Sequence, residues 1–135
     1  MSETRIMKQL EAMETALLDA CIQGNISQVD ALSAKVGGNH EWLLSTAARA
    51  GQLNMVKHLV SLGQNHFQEA FICTGLAYMD KGNSGNLELL HYLLYVLKID
   101  VSEATKKSLE NNINEHDYQH LMKMIEKRDH HLKKA

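Results

Sequence analysis

Apolar residues recur along this chain at steps of three and four, the spacing of one helix face. In the first segment they fall at Ile6, Leu10, Met13, Leu17 and Cys21. "QGN" at 23–25 ends that helix, with Gly24 suited to a left-handed cap. Ile26, Val29 and Leu32 mark a short second helix, which "VGGNH" stops. "EWLLSTAARA" predicts a third helix ended by Gly51, and "LNMVKHLVSL" a fourth ended by Gly63. A fifth covers "FQEAFICTGLAYMD". "KGNSGN" at 81–86 reads as a loop whose Ser84 or Asn86 caps the next helix. That sixth helix, "LELLHYLLYVLK", is the most hydrophobic segment and should be well buried. "SEATKKSLENNI" and "DYQHLMKMIEKR" predict two more, with Asp117 near the start of the last. "DHHLKKA" is polar and basic and is expected to fray. No stretch alternates as a strand does. The expectation is an all-α domain over residues 1–128 and a basic flexible tail over 129–135.

The segments also resemble one another. "LLDACIQGNISQVDAL" (17–32) reads like "LSTAARAGQLNMVKHL" (44–59): Gly24 matches Gly51, Ile26 matches Leu53, Val29 matches Val56 and Leu32 matches Leu59. "SGNLELLHYLLYVL" (84–97) repeats the second half through Gly85, Leu87, Leu90 and Leu93. "HDYQHLMKMI" (116–125) is a fainter copy. The markers at 24, 51, 85 and 116 lie 27, 34 and 31 residues apart, the period of helical repeat proteins.

"TAARAGQLNMVKHLVSLG" resembles the core of an ankyrin repeat: two small residues, a glycine turn, an apolar second helix and a closing glycine. Ala47 and Ala48 let the first helix lie close to its neighbours, and Gly51 takes the tight turn. Leu53, Val56, Leu59 and Val60 seal the second helix, and Gly63 ends the unit. The resemblance is best over 43–63, looser over 16–32 and 71–97, and faintest over 105–127. The family's Thr-Pro-Leu-His start is missing, and "VGGNHEW" and "GQNHFQ" are too short for its projecting β-hairpin. The implied fold is an ankyrin-like α-solenoid of about four helix–turn–helix units with short or missing fingers. Its charged first helix (Glu3, Arg5, Lys8, Glu11) and polar last one (Lys123, Glu126, Lys127) suit the two ends. Repeats this divergent resemble, by analogy, those of bacterial and intracellular-pathogen proteins.

Composition agrees with this picture. The chain has 135 residues, enough for one domain with a core, and no proline, the strongest helix breaker. Aromatics are only 5%, so Leu, Ile, Val, Met and Ala must fill the interior. A formal charge of -2 gives no general attraction to nucleic acid or anionic membrane. No apolar run approaches the roughly 20 residues of a membrane span, and the N-terminus lacks a signal-peptide core. Cys21 and Cys73 stand in apolar helical contexts and read as reduced thiols. The expected compartment is the cytoplasm, or a host cytosol if the source is an intracellular bacterium.

Candidate chemistry is sparse. His116 and His120 in "EHDYQH" are four apart, with Glu115 and Asp117 beside them, a spacing that suits a metal. The glutamate of a hydrolytic HExxH helix is missing, and His91, His130 or His131 would have to complete the set. The other reading is a solvated helix start. "KGNSGN" matches neither phosphate-binding glycine pattern, and Cys73 in "AFICTGLA" reads as an inert thiol. The basic run of Lys127, Arg128, Lys133 and Lys134 is able to meet an acidic partner or simply to solubilise.

What the resemblance implies is binding of another protein by surface complementarity, with no catalytic residue, cofactor or metal. The expected contact residues lie on first helices and connectors: His40, Glu41, Trp42, Thr46, Arg49, Gln64, Asn65, His66, Tyr78 and Asp80. Arg49 would supply planar charged hydrogen bonds. Trp42 and Tyr78 would supply apolar anchors. The state expected is a monomer or weak dimer. Two alternatives stand beside this reading: a metal- or small-molecule-binding protein centred on His116 and His120, and a dimerisation module using segment 87–97.

Overall fold

The computed structural model of the chain describes residues 3–37 and 40–134. Gly38 and Asn39 of the "VGGNH" connector lie outside these, as do Met1, Ser2 and Ala135. The described residues form α1 (Glu3–Gln23), α2 (Ile26–Val36), α3 (Trp42–Arg49), α4 (Leu53–Ser61), α5 (Phe67–Lys81), α6 (Ser84–His91), α7 (Glu103–Asn112) and α8 (Glu115–Lys134). A π-helical segment, Tyr92–Val96, continues α6 without a break. Among the described residues there is no strand, and the chain is all-α as its periodicity predicts.

Successive helices pack as antiparallel-type hairpins: α1 on α2, α3 on α4, α5 on α6 and α7 on α8. The first helices also pack side by side, with α3 between α1 and α5, and α5 against α7. Second helices meet where α4 touches α6 and α8 touches the π-helical segment. One cluster of buried Leu, Val, Met, Ala and Phe runs through all of them, from Leu17 to Ile125. Each fully buried Leu in it is worth about 2 kcal/mol relative to an exposed one.

The turns inside the hairpins share one device. Gly24, Gly51 and Gly82 take left-handed φ of +76°, +74° and +64°, which glycine adopts without cost. The next residue in each case is an amide that precedes the second helix: Asn25, Gln52 and Asn83. In the fourth hairpin Asn114 does the same after Ile113, accepting from the Asp117 N–H at 2.8 Å. These amides stand at 25, 52, 83 and 114, intervals of 27, 31 and 31. The register expected from sequence, with Gly85 and His116 as markers, is therefore displaced by three residues in the last two hairpins. Gly85 already lies within α6, and Ser84 to Asn86 are helix rather than loop. Asn83 is the cap, accepting from the Gly85 N–H at 2.8 Å.

One turn residue, Gln52, and one residue in the first turn of α6, Asn86, also tie neighbouring hairpins together. The last carbonyls of a helix have no partner within it. Gln52 Nε2 donates to the Ile22 carbonyl in the last turn of α1, at 2.9 Å. Asn86 Nδ2 donates to the Ala48 carbonyl at 2.9 Å and the Arg49 carbonyl at 3.3 Å, at the end of α3. Asn86 is buried, and its amide also meets Thr74 Oγ1 on α5 at 3.1 Å.

The two ends depart from expectation. α1 has 21 residues and its partner α2 has 11, so about 15 Å of α1 extends past its neighbour. Its predicted apolar face is buried only from Leu17 onward; Ile6, Met7 and Leu10 are 45%, 60% and 38% exposed. At the other end α8 continues through Lys134, past residue 128 where fraying was expected. Arg128 explains this: it is buried, donating to the Leu94 carbonyl and to Asp129 Oδ1, each at 2.8 Å. Leu94 lies in the π-helical segment, and the guanidinium satisfies a buried carbonyl there. His131 then packs edge-on against the Tyr95 ring, 5.6 Å between centroids.

Candidate protein-binding groove

The side-by-side packing of α3 and α5 leaves an open trough between their exposed faces. One recess of about 370 Å³ is lined by Trp42, Ser45, Thr46 and Arg49 of α3 and Glu69, Ile72 and Cys73 of α5. A second, of about 440 Å³, shares Arg49 and Cys73 and continues to Leu76, Ala77, Asp80 and Lys81. A third, of about 560 Å³, shares Leu76 and Asp80 and reaches Asn112, Ile113, Asn114 and Asp117 at the α7–α8 turn. Helical spacing explains the lining. Trp42, Thr46 and Arg49 fall on one face of α3, as Glu69, Cys73, Leu76 and Asp80 do on α5.

The groove has an apolar end and a charged middle. Trp42 is 38% exposed, a large fraction for the biggest apolar side chain in the chain. Thr46 turns its hydroxyl inward to the Trp42 carbonyl at 2.8 Å, which leaves its methyl for the wall. Arg49 is exposed, and among the described residues no carboxylate lies within ion-pair distance of it. Cys73, half-buried and unpaired by any disulfide, borders both of the first two recesses. Burial raises its thiol pKa above the ordinary value, with the Arg49 charge opposing.

The predicted contact residues divide into three places. Trp42, Thr46, Arg49 and Asp80 line the groove. His40, Glu41, Gln64, Asn65 and His66 gather at the connector ends of the hairpins. There His66 Nε2 approaches Glu41 Oε2 at 3.2 Å, and Gln64 Nε2 donates to the His40 carbonyl at 3.3 Å. The His40 ring meets Trp42 edge-on, 5.7 Å between centroids, which joins this cluster to the groove. Tyr78 lies apart from both: it is half-buried beside the His120 ring at 6.4 Å and lines none of these recesses. The sequence reading missed Glu69, Ile72, Cys73 and Lys81. The signal was present, because Glu69, Cys73, Leu76 and Asp80 follow one stripe of a well-predicted helix.

The two alternative sites find less support in the geometry. His116 and His120 are exposed on α8, and among the described residues no three His, Cys, Asp or Glu side chains converge. Segment 87–97 buries Leu89, Leu90, Leu93 and Leu94 completely, so it presents no continuous apolar face; Val96 is the one strongly exposed apolar residue in it. Cys21 is fully buried, donating from Sγ to the Leu43 carbonyl at 3.3 Å. Burial pushes its thiol pKa up to about 11, against a smaller opposing backbone hydrogen bond at Ala47. Among the described residues no helix is long and apolar enough to cross a membrane. No family model, curated protein or solved structure matches the chain.

Proposed function

We propose that the chain is a degenerate ankyrin-like α-solenoid of about four helical hairpins that binds another protein and catalyses no reaction. The groove between α3 and α5 is its docking surface. What carries this reading is the juxtaposition of exposed Trp42 with unpaired Arg49 along one continuous trough. Trp and Arg are the residue types that most often dominate binding energy at protein interfaces. Trp42 and Ile72 would receive an apolar side chain of the partner. Arg49 would pair with a carboxylate or a run of carbonyls, and Glu41 with His66 would form the polar rim. The hairpin stacking supports the reading because it holds these side chains on packed helices rather than on loops.

The test is capture from native lysate by immobilised wild-type protein, with Trp42→Ala and Arg49→Ala compared at equal loading. Once mass spectrometry identifies a partner, its Kd is measured against all three proteins. Each substitution should weaken binding at least tenfold, the scale of interface anchors. Both positions are exposed, so circular dichroism should be unchanged. Undiminished binding by both folded variants would overturn the groove assignment.

A further inference from the structure

The two ends of the helical stack are finished differently. A terminal unit has a side without a neighbour, and that side must be polar if water is to cover it. At the C-terminal end it is: among the described residues α7 and α8 expose no large apolar side chain. At the N-terminal end it is not. Among the described residues, five of the eight exposed large apolar side chains stand on α1: Ile6, Met7, Leu10, Leu18 and Ile22. α1 packs on α2 and α3, and both leave these side chains open. Steps of three and four carry Glu3, Met7, Leu10, Glu14, Leu18 and Ile22 along one exposed ladder of this helix. At 1.5 Å per residue the ladder is roughly 28 Å long, the length of a partner helix of about five turns.

Carboxylates punctuate the ladder. Met7 has Glu3 one turn before it and Glu11 one turn after it, and Glu14 follows Leu10 by one turn. Among the described residues none of these three carboxylates is in an ion pair. The basic residues of α1, Arg5 and Lys8, fall off the ladder. This charge pattern selects the occupant. A second copy is disfavoured. In an antiparallel pair that sets Met7 on Leu18 of the other chain, Glu11 meets Glu14, and an in-register parallel pair sets each Glu against its own copy. Anionic lipid is repelled by the same carboxylates. We infer that this face of α1 docks a basic amphipathic helix of a partner protein. Its apolar stripe covers Met7, Leu10 and Leu18, and flanking Lys or Arg residues meet Glu3, Glu11 and Glu14. The apolar contact supplies most of the affinity, and the solvated ion pairs set charge preference and orientation. The surface shares no residue with the groove between α3 and α5.

The probes are two labelled peptides of about 18 residues, long enough for five turns. Both carry Leu at i, i+3 and i+4 helical spacing; one has Lys at all remaining positions, the other Glu. Fluorescence anisotropy with the full chain should show saturable binding of the Lys peptide, at least tenfold tighter than that of the Glu peptide. Met7→Gln combined with Leu10→Gln removes two apolar rungs and should weaken this binding at least tenfold. Both side chains are exposed, so the fold should be kept. Should that variant fail to fold, Met7→Lys alone decides, with a loss of about tenfold expected. Glu11→Gln combined with Glu14→Gln should reduce the preference for the Lys peptide severalfold. Trp42→Ala and Arg49→Ala should leave binding unchanged. Equal binding of the two peptides, undiminished binding by the folded α1 variants, or loss confined to the groove variants overturns the inference. So does a dimer in sedimentation equilibrium that Leu10→Gln dissolves, which makes a second copy the occupant. Binding to phosphatidylglycerol vesicles that the same change removes overturns it too, in favour of a lipid surface. The groove reading stands or falls separately, because its test reads Trp42 and Arg49 against the native partner.

Discussion

The α3–α4 and α7–α8 hairpins have the same plan and are held in place by different means. α3 is enclosed by α1, α4, α5 and α6, and buries Leu43, Leu44, Ala47 and Ala48. Small residues let these helices approach closely, so apolar packing carries most of the unit, with Gln52 and Asn86 tying its turn and the end of α3 to the neighbouring hairpins. The α7–α8 hairpin has neighbours on one side only, and buries Thr105, Leu109, Leu121, Ile125 and Arg128. Polar anchors make up the difference. Gln68 on α5 donates to the Asp100 carbonyl at 2.8 Å, and its Oε1 accepts from the Ser102 N–H at 3.0 Å and the Thr105 hydroxyl at 2.7 Å. Arg128 performs the same service for α8 at the Leu94 carbonyl. An inner unit is thus specified chiefly by steric closeness, and an end unit by a few side-chain hydrogen bonds, of which the Arg128 bond is buried.

Steric closeness should be the less forgiving of the two, and Gly85 tests it most severely. A Cβ there would stand 2.5 Å from the Gly51 carbonyl oxygen, a backbone atom that cannot move aside without disturbing the second hairpin. Gly85→Ala should cost about 3 kcal/mol, the upper part of the usual range for overpacking. Gly75, toward the end unit, is the control: its Cβ would meet Leu121 and Leu109 at 3.5 and 3.6 Å, ordinary contact distances. Gly75→Ala should stabilise by about 0.5–1 kcal/mol, because a helical glycine is replaced where there is room. Urea denaturation of both variants checks the pair. Equal effects at the two positions would mean that close approach does not distinguish the inner seam.

The end unit answers to loss of its anchor. Arg128→Ala leaves the Leu94 carbonyl buried and unpaired and should cost about 2 kcal/mol. The loss should be local as well as global. Amide exchange should speed up in α8 and in Tyr92–Val96 before it does in α3 or α4. Uniform acceleration along the chain would show that the α7–α8 hairpin is not separately anchored.

The same contrast explains what was legible in the sequence. Helix positions for α3, α4 and α5 follow from period and glycines, since most apolar residues there, Trp42 apart, are buried or half-buried. The groove was partly legible: Trp42, Thr46, Arg49 and Asp80 follow from the repeat plan, while Glu69 and Cys73 needed the fact that α5 lies beside α3. Asn86, Gln68 and Arg128 were not legible. A polar residue is buried only because another segment offers it a partner, and no local pattern encodes that carbonyl. Arg128 sits in a run of charges and Asn86 in a run of glycine and asparagine, and both runs read as solvated. The π-helical turn was hidden for a related reason, as "YLLYV" is apolar at every period.

The smallest effect is silent at neutral pH and probes the seam between α1 and α3. Cys21 belongs to the first hairpin but is buried against Leu43, so it reports the inner type of packing. Its thiol stays protonated in the folded chain up to about 11, against an ordinary value of 9.0 once exposed. Below pH 9.0 both states hold the proton and the group favours neither. From 9.0 toward 11 the unfolded chain releases a proton that the native chain keeps, so native stability falls across that window. Cys21→Ala removes this contribution while leaving Cys73, Lys and Tyr titrations in place. The stability of the wild type should therefore fall more steeply with pH between 9 and 11 than that of the variant. Thiol labelling at pH 8 gives the matching kinetic test. Cys73, half-exposed at the groove, should react first, and Cys21 only at the rate at which α1 opens from α3. Equal labelling rates, or parallel pH slopes, would place Cys21 in contact with solvent and the first hairpin among the loosely held ends.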